Sequence, residues 1–143
     1  MDVARKKGFT ILEMIVVVAT FLLLLLVIII GVREFAQKGR ETHLRTKLRD
    51  LQKLSQAIYL ESSEGFKVLC AQQGGRLNEG YNSGLAQIQS EIDKIAGPNS
   101  LVCYADVDKY CISVEIQGVY LCIDSTGELV QTSTPCIDSN PCL

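Results

Sequence analysis

Met14-Ile15-Val16-Val17-Val18-Ala19-Thr20-Phe21-Leu22-Leu23-Leu24-Leu25-Leu26-Val27-Ile28-Ile29-Ile30 is a run of seventeen residues in which Thr20 alone is polar. At a helical rise of about 1.5 Å per residue, residues 9–32 span about 36 Å, enough to cross a hydrocarbon layer of roughly 30 Å. Arg5, Lys6 and Lys7 precede the run, as basic residues precede the apolar part of a secretory signal peptide. The run is longer than the ~7 to 15 apolar residues of such a peptide, however. Gly31-Val32-Arg33-Glu34 follows it, and no small-x-small cleavage site closes it. The segment is read as a membrane-spanning helix, with lipid as its first partner.

Glu13 is out of place in such a segment. An ionised carboxylate at full bilayer depth costs about 2.5 to 3.5 kcal/mol, so Glu13 calls for a partner unless it reaches the headgroups near the basic end. Its surroundings narrow the choice. Arg5-Lys6-Lys7-Gly8-Phe9-Thr10-Ile11-Leu12-Glu13, followed by Met14-Ile15-Val16-Val17-Val18-Ala19, resembles the leader and N-terminal helix of type IV pilins and pseudopilins. The resemblance implies that a prepilin peptidase cuts between Gly8 and Phe9 and methylates the new amino group of Phe9. It also implies that Glu13, then fifth in the mature chain, pairs with the amino terminus of a neighbouring subunit during filament assembly. A carboxylate that meets an ammonium group in oil recovers most of its desolvation penalty. Glu13 is therefore expected to be an assembly residue, and Arg5, Lys6 and Lys7 a basic leader. The implied partners are further copies of the chain, the prepilin peptidase and an inner-membrane assembly platform. Many major pilins carry a proline late in the apolar half, whereas Val27-Ile28-Ile29-Ile30-Gly31 has none; Gly31 is the candidate soft point. Major and minor subunits both stay open, as do pilus, competence and type II secretion filaments.

Working outward, the chain stays helical by pattern. Leu44, Leu48, Leu51, Leu54 or Ser55, and Ile58 recur at steps of three and four, giving one apolar stripe. A heptad does not hold through Lys38-Gly39-Arg40, which argues against a coiled coil. No proline interrupts residues 9–63, and Ser62-Ser63-Glu64-Gly65 supplies a stop, so the expected helix has about 55 residues and a length of ~80 Å.

The seven basic residues between Arg33 and Lys53 are read as the solvated back of this helix beside anionic headgroups. Nucleic acid is not an expected partner. Residues 54–143 carry four basic and eleven acidic side chains, and Phe35 alone among the aromatic residues falls within the basic run, too few for a stacking platform.

Residues 65–84, rich in Gly, Gln and Asn, read as a connecting loop, and residues 85–95 as a short helix closed by Gly97-Pro98. Candidate strands follow at residues 101–105, 110–116, 119–123 and 128–132. Tyr110, Ile112, Val114 and Ile116 share one face of the second, and Gln117-Gly118 makes a two-residue turn into the third. The fold class is α+β: a long N-terminal helix packed on a small antiparallel sheet, an order of elements similar to that of type IV pilins. The expected organisation is a leader at 1–8, a membrane and filament-core helix at 9–32, an amphipathic helical half at 33–64 and a disulfide-rich head at 65–143.

Six cysteines with no Cys-x-x-Cys, and His43 as the sole imidazole, point to disulfides and an exported head rather than to a metal. The basic run would by itself favour a cytoplasmic head; the cysteines decide for a head outside the cytoplasmic membrane. The pairing expected is Cys70 with Cys103, Cys136 with Cys142 and, least comfortably, Cys111 with Cys122, since Ser113 rather than Cys111 falls opposite Cys122.

No catalytic set can be assembled around His43, which reads as a solvated helix residue. Asp106, Asp108 and Asp124, near Ser125, lack EF-hand spacing and read as surface carboxylates. No cofactor, metal or catalytic residue is expected. The function implied is that of a structural filament subunit, lodged in the cytoplasmic membrane and then in an extracellular pilus or cell-envelope filament. The competing class is a single-pass membrane protein with a binding head and no polymer.

Overall fold

The computed structural model describes residues 10–142, apart from the side chains of residues 30, 33 and 34. The chain divides into two compact units, Met1–Gly39 and Arg40–Leu143. Helix α1, Ile11–Glu61, is unbroken over 51 residues and contributes to both. Gly31 and Gly39 stay helical, so the expected soft point does not interrupt the backbone here.

In the first unit α1 is apolar on nearly every side, and all its side chains from Ile11 to Ile29 are exposed. Ile11–Ile29 is long and apolar enough to cross a membrane.

The second unit is an α+β fold. The stripe Leu44, Leu48, Leu51, Ser55 and Ile58 on α1 is buried. After Glu61, the amide of Ser62 still donates to the Ile58 carbonyl. Gly65 then adopts φ +63°, and a Cβ there would strike the Val107 carbonyl, so only glycine lets the chain turn this close to the next loop. A short 3-10 helix, Gly65–Leu69, occupies the start of the expected loop and buries Phe66 and Leu69. Helix α2, Ser83–Ala96, is capped by Asn82, whose Oδ1 accepts from the Gly84 amide at 2.7 Å, and it buries Leu85, Ile88 and Ile92.

Four strands follow: β1 Leu101–Ala105, β2 Tyr110–Ile116, β3 Val119–Asp124 and β4 Leu129–Thr132. They form an antiparallel meander in chain order. Gln117 (φ +55°) and Gly118 (φ +79°) join β2 to β3, with Ile116 paired to Val119. Two successive positive φ values match the twist of a two-residue hairpin. The inner face of the sheet, with Cys103, Tyr110, Ile112, Val114, Leu121 and Ile123, joins the α1 stripe and α2 in one core. Phe66 of that core lies 4.9 Å from the buried Tyr110 ring and 4.5 Å from the ring of the exposed Tyr59. The Tyr110 hydroxyl and Ser55 Oγ, both buried, are hydrogen-bonded at 3.0 Å.

The disulfides correct two of three expected pairs. Cys70–Cys103 forms as expected, but the others are Cys111–Cys136 and Cys122–Cys142. Cys122 stands opposite Ser113, and Cys111 opposite Asp124, so the strand cysteines are diagonal. Both point to the outer face of the sheet, where the C-terminal tail supplies a separate partner for each. At ~2 to 4 kcal/mol apiece, such bridges matter to a small core.

Candidate functional site

In the first unit the polar groups sit at the start of α1. Thr10 Oγ1 accepts from the Glu13 amide at 3.3 Å, while Glu13 Oε2 accepts from the Thr10 amide at 3.3 Å and the Thr10 hydroxyl at 3.4 Å. This reciprocal arrangement is a capping box, in which two amide donors left unpaired by the helix start are satisfied at once. Sequence reasoning looked for a partner of Glu13 in another subunit and passed over the Thr-x-x-Glu signature in Thr10-Ile11-Leu12-Glu13.

Glu13 and Thr20 are seven residues apart and so share a helix face; the Thr20 hydroxyl donates to the Val17 carbonyl at 2.9 Å. The opposite face carries Ile11, Met14, Ile15, Val18, Ala19 and Leu22, which line a shallow apolar groove. An apolar face backed by a narrow polar stripe with one charge is the chemistry available here. The expected cleavage and methylation positions Gly8 and Phe9, and the basic Arg5, Lys6 and Lys7, lie outside the described residues.

In the second unit the basic run is only partly the solvated surface expected. Lys47, about a fifth exposed, bridges to Glu91 on α2 at 2.5 Å, and Arg45 donates both to Glu41 at 2.9 Å and to Gln131 on β4 at 3.3 Å. Two of the cations therefore dock the helix on its own head. The hydrogen bond from Lys47 holds the Glu91 carboxyl below its usual range, and the same contact holds the Lys47 ammonium above its own. Arg76 ties the loop to α2 through Asp93 at 2.7 Å and also binds Glu79 at 3.0 Å. Burial pushes the Tyr110 phenol up.

His43 is exposed, as expected. Asp124 is not the surface carboxylate it was read as: it is buried, and its oxygens accept from the Thr126 amide, the Thr126 hydroxyl and the Cys142 amide at 2.6–2.8 Å. It shapes the β3–β4 turn and latches the tail. Among the described residues Asp106, Asp108 and Asp124 do not gather into a cation site; the one grouping of possible metal ligands is Cys111, Cys122, Cys136 and Cys142.

No family model matches the chain, and neither does any curated protein or solved structure.

Proposed function

We propose that the chain is a structural subunit, a pilin or minor pilin, of a type IV pilus or a related filament such as a pseudopilus. The observation that carries this reading is a single carboxylate, Glu13, at the head of a helix whose apolar side chains from Ile11 to Ile29 are exposed. That helix follows the Gly8-Phe9 junction and is joined to a head with its own closed core. Lipid covers the apolar surface before assembly, and other copies of the same helix cover it afterwards. Before assembly the capping contacts with Thr10 hold Glu13; on assembly the methylated amino group of Phe9 in a neighbouring subunit replaces them with an ion pair. Prepilin peptidase and an inner-membrane assembly platform are the partners this cycle requires, and the head lies outside the cytoplasmic membrane.

The test is Glu13→Ala in the cells that make the protein, with filaments sheared from the surface or released from the envelope. Filament yield is expected to fall at least tenfold while the membrane pool of the processed chain stays constant. Normal filaments from Glu13→Ala contradict the assembly role. Absence of filaments from the wild type contradicts polymerisation itself and favours a single-pass protein with a binding head.

A further inference from the structure

The four cysteines outside the main core come from three parts of the chain, Cys111 on β2, Cys122 on β3 and Cys136 and Cys142 on the tail, yet their sulfurs form one cluster. All four lie within 4.8 Å of one another. The contacts between the two disulfides are as short as those within many ligand sets: Cys111 to Cys122 is 3.4 Å, Cys122 to Cys136 is 3.5 Å and Cys111 to Cys142 is 3.9 Å. A tetrahedral zinc thiolate with bonds of about 2.3 Å has sulfur–sulfur edges of about 3.8 Å. Three edges of the cluster are already near that length; opening the two bonded pairs would lengthen two more.

The surroundings suit an ion as well as the sulfurs do. The cluster borders a cavity of about 360 Å³ whose wall includes Pro135, Ile137, Asp138, Asn140 and Pro141 of the tail. Solvent therefore has a route to sulfurs that are themselves largely buried: Cys111, Cys122 and Cys136 are 3 to 7% exposed. The backbone on either side is pinned by contacts that do not involve the S–S bonds. The Cys136 amide donates to Ser113 Oγ at 3.0 Å, and the Cys142 amide donates to Asp124 Oδ2 at 2.8 Å. Lys109 Nζ donates to Asn140 at 2.7 Å and adds a third polar tie between sheet and tail. These bonds can keep the thiols near their places when the disulfides are open.

We infer that in the reduced chain Cys111, Cys122, Cys136 and Cys142 form a tetrathiolate site for a divalent d10 cation of the zinc class, which clamps the tail to the sheet in place of the two disulfides. Sulfur-only tetrahedral sets select such ions. The thiols exist before oxidation, or are regenerated by a phosphine reductant. Each disulfide then takes two electrons from phosphorus, and water supplies the oxygen of the phosphine oxide and the two protons of the new thiols. Binding forms four metal–sulfur bonds and releases the four thiol protons to solvent. No two of these cysteines have metal-ligand spacing along the chain; the register of β2 with β3 and the path of the tail bring them together.

The experiment uses the full chain in detergent micelles, reduced anaerobically with a phosphine and titrated with Co2+ and then Zn2+. One Co2+ per chain is expected, with the visible bands and sulfur-to-cobalt charge-transfer absorption of a tetrahedral tetrathiolate, bleached by Zn2+. Cys142→Ser loses the tetrathiolate spectrum; Cys70→Ser with Cys103→Ser keeps it. Because a variant can misfold, alkylation of the reduced wild type is mapped by peptide mass with and without Zn2+. Zinc is expected to slow alkylation at least tenfold at Cys111, Cys122, Cys136 and Cys142 and to leave Cys70 and Cys103 unchanged. No tetrathiolate absorption from the wild type, or zinc protection that is absent or includes Cys70 and Cys103 equally, overturns the site.

Discussion

Leu22, Leu24 and Leu26 in the first half of α1 are 55 to 62% exposed, whereas Leu44, Leu48 and Leu51 in the second half are 0% exposed. Residue type and backbone are the same; what differs is the cover the chain provides. From Leu44 to Ile58 the leucines and isoleucine keep to one stripe, the sheet and α2 close over it, and mostly polar residues take the remaining faces. From Met14 to Ile30 the sequence is apolar all round, so no single neighbour within the chain can satisfy it. Helix formation is thus common to both regions, while burial is internal to one and left to the surroundings of the other.

The sharpest way to break this contrast is to cut back a leucine in each half. Leu48→Ala leaves a cavity in a closed core and is expected to destabilise the head by ~2 to 5 kcal/mol. Leu24→Ala in the exposed run is expected to change it by less than ~0.5 kcal/mol. Thermal unfolding of the full chain in detergent, followed through the near-UV signal of the buried Tyr110, compares the two; equal losses would mean that the halves are one stability unit.

A smaller effect probes the polar position of the internal stripe. Ser55 stands where the stripe would place an apolar residue, and Ser55→Ala leaves the buried Tyr110 hydroxyl without its partner. The expected loss is ~1 to 3 kcal/mol, and it should largely vanish in a Tyr110→Phe background. A double-mutant cycle on the same unfolding signal measures the coupling.

The smallest expected effect is the pH dependence of helix docking. Glu91 is held low by Lys47, so its contribution is present above the unfolded value of about 4.3 and lost as pH falls through the lower folded value. Lys47 is held high by Glu91, and its contribution is present below about 10.4 and lost as pH rises through the higher folded value. Tyr110, raised by burial, acts in the same direction on the alkaline side, because the folded state retains a proton that the unfolded chain gives up near pH 10. A broad plateau of melting temperature from about pH 5 to 9 is expected, with Glu91→Gln blunting the acid limb and leaving the Tyr110 part of the alkaline limb.

Much of the head was legible in its sequence, for reasons tied to particular residues. The stripe Leu44, Leu48, Leu51, Ser55 and Ile58 follows from helical spacing, and the Ile116–Val119 register follows from Gln117-Gly118, since a two-residue turn fixes its closing pair. β1 and β2 keep the limits expected, 101–105 and 110–116, the second from the alternation of Tyr110 to Ile116. Phe66, Leu69 and Leu77 escaped detection as core residues because they lie in a stretch whose Gly, Gln and Asn content hides any period. The tail disulfides escaped because pairing depends on where residues 133–142 cross the outer face of the sheet, which local pattern does not encode. Asp124 was misjudged for the same reason: its partners Thr126 and Cys142 arrive from a turn and from the tail. At the candidate site, Glu13 stood out as a charge among apolar residues, but its local role with Thr10 went unread although the capping spacing carries it.

The most direct measurement is the intact mass and N-terminal peptide mass of the protein purified from membranes and from the filament fraction. A mature chain that begins at Phe9, with one methyl group on its amine, is expected in both. A chain that still begins at Met1, or that starts anywhere other than Phe9, would contradict the account.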